Sequence, residues 1–486
     1  YGLALDISPS EGRYQLAYEN VKISDHEDMG FLSGAMLFKA RDWLMVGPSA
    51  SGAITGDRGG FITIGVDTHL RYPLNNRLEL IGGALIGAGG GRGGQQLSGG
   101  GLMTRTYLAL NLAVNPNNHL GLGYSVLDFP NGSIHSTQPY LIYEQVFSTF
   151  LRPGWVTPST DAGTGFIHTG AKEQDIALTY RRYLFSNRVT TVSGNQQLDL
   201  SLMGIRWRHA LDNRFYLSLG TEGAAGGESS GYMQILANGG MRFKLSPSTL
   251  IRFSAGTGVA GGGNTDTGGG WLVDARLGFQ FSLSSHWFIE AEGGYIDSPE
   301  APFKASSLST MLGYRFLTPT PDRNITNKTH TRYHPVSLRI RPAIQRYHKA
   351  DSQWRKQNPD TPIDVLGLQL DDFIHRNFYL TGQSFAAYSG KAGAYMTGLV
   401  GLGWHYPLSP FPLFFEAEGL LGAAGGGGVN VSDGLVYQGN VFLGMPLKGQ
   451  VDVLLGGGTV AAVNGPFQAR VLALSLAYRF SSFMDW

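Results

Sequence analysis

The sequence of 486 residues contains no cysteine. No disulfide staples it, and no thiolate is available as a metal ligand or nucleophile. No stretch approaches the roughly 18 apolar residues that a membrane-crossing helix needs, so helical spans are excluded. Charge is scarce: 15% of residues are Asp, Glu, Lys or Arg, against about 25% in ordinary globular chains. Neither sign dominates, with 37 basic and 36 acidic residues, whereas a nucleic-acid binder carries a basic excess. The 12 histidines are scattered, and the pattern calls for no metal and no cofactor. No signal peptide is visible at Tyr1, so an exported chain is expected to be a processed form. What is plentiful is glycine, with 70 residues, about twice the ordinary share of about 7%. Few charges, 42% hydrophobic residues and no long apolar run leave a very large soluble β-protein or a membrane β-barrel.

One pattern is written three times. The middle copy has Lys244-Leu245-Ser246-Pro247, then Gly261-Gly262-Gly263, and closes on Tyr314-Arg315-Phe316. The last has Tyr406-Pro407-Leu408-Ser409-Pro410, then Gly425-Gly426-Gly427, and closes on Tyr478-Arg479-Phe480. The first is more diverged: Tyr72-Pro73-Leu74-Asn75-Asn76, then Gly89-Gly90-Gly91, closing on Phe147. Such a period is too long for a solenoid coil. Each copy parses into about eight strands, placing repeat one at 1–148, a linker at 149–173, repeat two at 174–316, a linker at 317–335 and repeat three at 336–486.

Alternation gives these strands two unlike faces. Trp271, Val273, Ala275, Leu277, Phe279 and Phe281 face one way; Asp274, Arg276, Gly278, Gln280 and Ser282 face the other. Leu312, Tyr314 and Phe316 alternate with Met311, Gly313 and Arg315, and Leu474, Leu476, Tyr478 and Phe480 with Ser475, Ala477 and Arg479. The polar faces are mainly Gly, Ser, Asn, Arg and Glu, and the apolar faces end in aromatics. That is the arrangement of a transmembrane barrel, with lipid outside and a polar interior. Strands of about 9–12 residues suit a tilted crossing, and only a closed sheet avoids unpaired edges in lipid.

The final strand, Leu472 to Phe480, resembles the closing strand of bacterial outer-membrane β-barrel proteins of the porin-like kind. Each repeat resembles a small eight-stranded outer-membrane barrel. The chain departs from that pattern by continuing through Ser481 to Trp486. The resemblance implies an all-β, antiparallel transmembrane barrel in the bacterial outer membrane, in contact with its lipid and lipopolysaccharide. It also implies a periplasmic N-terminus, short turns such as Leu211-Asp212-Asn213 and Ser246-Pro247-Ser248 on that side, and the Gly-rich segments outside.

Two architectures fit. One wide barrel of about 24 strands follows the precedent of large barrels, and the inward glycines favour it because they fill a small lumen poorly. Three tandem eight-stranded barrels are the alternative, favoured by the Pro- and Asn-rich linkers, which hold Pro153, Pro158, Pro319 and Pro321.

The expected lumen residues are Arg206, Arg208, Arg252, Asp274, Arg276, Glu290, Glu292, Arg339, Arg341, Glu416 and Glu418. Spacings of two put each Arg or Glu pair on one strand face. Neighbouring carboxylates on one wall suit a glycosidase poorly, since its two carboxylates flank a bound sugar. They are expected to balance the arginines in a wall network, where charged rings tune what passes. Asp25 to Asp28, and Asp371-Asp372 with His375, read as solvated charges, so no enzymatic activity is expected. The basic stretch Arg346 to Lys356 reads as an outward loop able to meet anionic lipopolysaccharide. Asn324-Ile325-Thr326 and Asn327-Lys328-Thr329 match glycosylation acceptors, which carry no meaning in a bacterial envelope. The sequence thus leads to an outer-membrane channel for a large cargo, such as a polysaccharide or protein segment, gated or filled by a partner. The alternative is a non-transporting barrel that anchors an envelope assembly.

Overall fold

A computed structural model describes residues 9–24, 27–155, 166–168, 170–321 and 331–485. Among them, strands form three closed antiparallel barrels of eight strands each. The first runs from strand Ser10–Val21 to strand His135–Thr149, the second from Ala171–Phe185 to Lys304–Pro319, and the third from Thr331–Lys349 to Gln468–Met484. Each closes by pairing its last strand on its first, in registers that include Leu16↔Tyr143, Leu178↔Leu312 and Ile344↔Leu474.

The single wide barrel is therefore wrong, and the reason lies in the inward glycines. Gly83, Gly240, Gly313, Gly403 and Gly444 stand directly across from Tyr107, Tyr216, Phe288, Tyr379 and Phe414. In each pair the aromatic ring fills the space that a Cβ on the glycine would need. A glycine beside a large ring packs a narrow lumen, because side-chain volume is shared between neighbours rather than supplied by each residue.

Each barrel has two unlike ends. Strands at one end are joined by tight turns. Asp212 there accepts backbone hydrogen bonds from Phe215 and Arg214 at 2.7 and 2.6 Å, which hold its carboxyl below the usual range. The other end carries the Gly-rich loops. There the third strand of each barrel packs on the fifth strand of the next: Gly52 meets Val259 and Gly223 meets Ala423, while Ala386 and Ala88 share a cluster. The loops entering the fourth strands continue the pattern. Gly60 donates its N–H to the Ala260 carbonyl at 3.0 Å, Gly231 lies on Gly425 and Gly426, and Ala394 lies on Gly90. First barrel touches second, second touches third, and third touches first. The three barrels thus form a closed head-to-tail ring, as a cyclic trimer does, here within one chain. Small residues at these seams let the sheets approach closely, and Gly60, Gly231 and Gly426 have the positive φ their loops require. Ile62, Met233 and Met396, one from each fourth strand, fill the middle.

Two short strands lie in the segment between the first two barrels. Arg152–Pro153 pairs with the last strand of the third barrel, and Phe166–His168 with its first. Trp155 lies tilted against Phe373, with ring centroids 4.4 Å apart, and donates to the Leu338 carbonyl at 2.9 Å. The acceptor motifs at Asn324 and Asn327, Pro158 and Trp486 lie outside the described residues.

Candidate functional site

The outer walls carry a band of exposed leucines, among them Leu110, Leu178, Leu219, Leu277, Leu312, Leu402, Leu443 and Leu474. Exposed aromatics border it near the turn end (Trp43, Phe243, Trp287, Trp404) and near the glycine end (Tyr124, Trp271, Tyr437). An apolar belt between two aromatic girdles on closed sheets is the surface of a lipid-embedded barrel. The chain has the outer wall of a membrane-spanning β-barrel protein. Trp271, Phe279, Phe281, Leu312, Leu474, Leu476 and Tyr478 lie exposed on this wall. Tyr314, Phe316 and Phe480 are half-buried there, near the point where Asp485 donates its N–H to the Leu317 carbonyl and joins barrels two and three.

Inside, all eleven charged residues expected in the lumen are buried. In the second barrel Arg206 meets Glu292 at 2.8 Å, and Arg208 meets both Asp175 and Glu290 at 2.7 Å. Arg276 lies 2.6 Å from Asp274, and Arg252 donates to Gln280 at 2.7 Å. In the third barrel Arg339 pairs with Asp371 (2.8 Å) and Glu416 (2.7 Å), and Arg341 pairs with Asp371 (2.9 Å) and Glu418 (2.8 Å). The two Glu-Ala-Glu motifs sit on different strands, Trp287–Asp297, the seventh of its barrel, and Phe414–Gly425, the fifth of its own. They are not equivalent positions, yet each meets a pair of arginines spaced by two. The first barrel builds its own network, which sequence reasoning missed: Arg13 binds Glu79 and Glu144, and Arg105 binds Glu19 at 2.9 Å. Buried ions are tolerable only when paired in this way. The gap ringed by Arg181, Arg206, Glu222, Asn238 and Arg276 is too small for a water molecule.

Above each ionic layer, toward the glycine end, the lumen turns apolar. The residues just before the fourth and eighth strands are Phe61 and Ile134, Tyr232 and Phe303, and Tyr395 and Phe467, all buried. Phe61 meets Phe129 edge-on at 5.5 Å, Tyr232 stacks on Phe303 at 5.9 Å, and Phe467 stacks on Trp354 at 6.3 Å. Every barrel is thus plugged by its own loops. The interior is not hydrophilic throughout, and among the described residues none of the three leaves the wide passage expected of a single large barrel. The recurrence of a large apolar residue one position before the same strand in every repeat was the available signal.

The basic stretch at Arg346 to Lys356 is mostly structural. Trp354 is buried and donates to the Pro359 carbonyl at 2.7 Å, while Arg355 donates to the carbonyls of Thr361, Gly390 and Lys391. Asp371 belongs to the lumen network, whereas His375 is exposed at its strand end. Asp25 and His26 lie outside the described residues.

No protein-family model matches the chain, and no curated protein matches it either. Among solved structures it is similar to the siderophore receptor PirA from Pseudomonas aeruginosa, with 10% identity, 97% of this chain and 80% of that chain covered, and a TM-score of 0.29. OccK5 (OpdH) from Pseudomonas aeruginosa shares 11% identity over 100% of both chains at a TM-score of 0.21. The NanC porin shares 8% identity, covering 62% of this chain and 98% of that chain, at 0.15. Scores this low carry no argument, and the architecture rests on this chain's own strand pairing.

Proposed function

We propose that the chain is an integral protein of the bacterial outer membrane whose three self-plugged barrels serve as a structural platform, with the short turns in the periplasm and the longer glycine-end loops outside. The observation that carries this reading is the aromatic plug set above a paired ionic layer in every barrel. An apolar plug excludes hydrated solutes, and paired arginines leave no free charge to draw ions through. The lumens also leave no room for a partner inside them, so a partner belongs on the periplasmic turns or the outer loops, as in an envelope assembly. Reconstitution into liposomes tests the reading. Solute-swelling assays should show no uptake of sugars, and mild-detergent purification should bring an envelope protein down in fixed stoichiometry. Rapid sugar flux through the intact chain would refute it.

A second reading, passage of small ions, is favoured by one feature. Several lumen arginines have two carboxylates in reach: Arg206 has Glu292 at 2.8 Å and Glu222 at 3.9 Å, and Arg252 has Glu290 at 3.6 Å and Asp175 at 3.8 Å. Exchange between such partners is how a charged lumen would relay ions. Single-channel recording separates the readings, since a relay predicts small conductance steps and a platform predicts none.

A further inference from the structure

We propose that the first and third barrels each bind one proton, on His69 and on His405, that the second barrel does without. This goes beyond the platform reading and needs only closed lumens. The three lumens differ in their charge. In the second barrel the buried lumen charges are five arginines and five carboxylates. In the first they are Arg13 and Arg105 against Glu19, Asp67, Glu79 and Glu144. In the third they are Arg339 and Arg341 against Asp371, Glu416, Glu418 and Asp452. One more arginine reaches in at the turn end of each: Arg71 lies 2.8 Å from Glu79, and Arg479 lies 3.1 Å from Asp452. Three arginines then face four carboxylates in both barrels, and an unmatched buried carboxylate is costly.

A histidine stands at each gap. Counted from the first residue of its fourth strand, Met396, His405 lies nine residues on (405 − 396). The same count from Ile62 reaches Arg71 (71 − 62), and from Met233 it reaches Arg242 (242 − 233). The other two barrels thus put a permanent cation at this place, where Arg71 meets Glu79 and Arg242 meets Glu173. His405 holds the same post in the third barrel, directly across from Glu416 and with its Nδ1 2.8 Å from that carboxylate. Glu416 also takes Arg339 and, at 3.2 Å, the O–H of Tyr379; Phe373 and the Arg479–Asp452 pair complete the surroundings.

His69 is fully enclosed. Its Nδ1 faces Glu144, on the last strand, at 3.4 Å, and its Nε2 faces Asp67, on its own strand, at 3.9 Å. A carboxylate only accepts, and a neutral imidazole carries one N–H, so a ring set between two carboxylates serves both only as the imidazolium. Tyr107 meets the ring edge-on at 5.5 Å, and Arg13 and Arg105 approach Glu144 and Asp67 in turn. Met45 and Gly83, the cross-strand neighbours, bring no charge. His119 lies 3.9 Å from Glu79, a carboxylate that Arg71 and Arg13 already match. The buried residues of the second barrel, whose charges are matched, include no histidine among those described.

Nitrogen NMR of the full chain in detergent, with 15N-labelled histidine rings, tests the proposal. At about pH 7.5 a free imidazole is mostly neutral. His69 and His405 should show N–H on both ring nitrogens there, while His375, exposed at its strand end, should be neutral. H69Q and H405Q assign the two signals by their loss. E144Q and E416Q remove the surplus carboxylate yet keep each ring, and should turn the matching signal neutral, which identifies it even where a histidine variant fails to fold. A neutral ring in the parent overturns the proposal for that barrel. Urea unfolding gives a second measure. The folded chain then binds more protons than the unfolded one above about pH 6.5, so the midpoint should fall as pH rises from there. H405R fixes the charge, as Arg71 and Arg242 do, and should lessen that fall. An H405R midpoint that falls with pH as steeply as the parent's overturns the site in the third barrel.

Discussion

Gly240 stands directly across its strand pair from Tyr216, and the tyrosine ring lies where a side chain at 240 would grow. Arg252 is held over the same ring, 5.0 Å from its centroid, so the glycine places a ring that in turn seats a lumen charge. Gly240→Val forces that ring aside and is expected to cost about 1–3 kcal/mol, the usual penalty for overpacking a filled interior. Gly239, one residue earlier, faces outward into open space, and Gly239→Val should change stability by less than about 0.5 kcal/mol. Urea unfolding in detergent micelles compares the two. Equal losses would show that strand propensity, and not the ring, sets the need for glycine.

Arg341 is fully enclosed with Asp371 and Glu418. Arg341→Met leaves both carboxylates short of a counter-charge, and the loss should reach about 3–5 kcal/mol, as for other broken buried pairs. Adding Glu418→Met removes one stranded charge, and Asp371 keeps its 2.8 Å contact with Arg339. The double variant should therefore be more stable than the single one by at least about 1 kcal/mol. A double-mutant cycle on unfolding midpoints reads this directly, and a double variant worse than the single would argue that the network acts by packing alone.

Strand positions and faces were legible in the sequence because side-chain alternation follows from the pleat alone. The alternation read from Trp271 to Ser282 meets an observed strand with those bounds. Barrel closure was not legible, because it depends on which residues become cross-strand neighbours. Gly313 counts against a narrow lumen until Phe288 is known to lie opposite it. Glu290 with Glu292, and Glu416 with Glu418, share a spacing of two, but the topology places the two pairs on strands of different rank in their barrels. Arg355 looked like a free surface charge, and only the fold brings the carbonyls of Gly390 and Lys391 to it. The glycine triplets read only as marks of the repeat. Their part in the seams between barrels needed the third dimension.

Tyr232 and Phe303 close the glycine end of the second barrel. Replacing both with alanine removes two buried rings, which should cost several kcal/mol at about 3–5 kcal/mol for each large aromatic. The opening left should let water reach the Arg181–Glu222 pair, below which the ionic layer, too tight for a water molecule, still closes the lumen. Planar-bilayer recording is therefore expected to show no conductance steps in the variant or the parent, and sugars should stay excluded in both. A parent chain that already conducts like a wide pore would contradict the plug.

The ring closes where the third barrel meets the first, with Ala386 and Ala88 in one apolar cluster alongside Ile62 and Met396. The equivalent seam between the first two barrels is tight enough that a Cβ at Gly52 would lie 2.9 Å from that of Val259. Cysteines at such positions are near the spacing a disulfide needs, and the chain has none of its own to interfere. The A88C/A386C variant, given a protease site within 322–330, should oxidise and then run as one covalent species after cleavage, separating into two only on reduction. Two pieces without reductant, with both thiols titratable, would mean that the barrels lie in an open row. The junctions seen between the first and second and between the second and third would then survive, but the head-to-tail closure that hides the apolar seam at Ala88 would not.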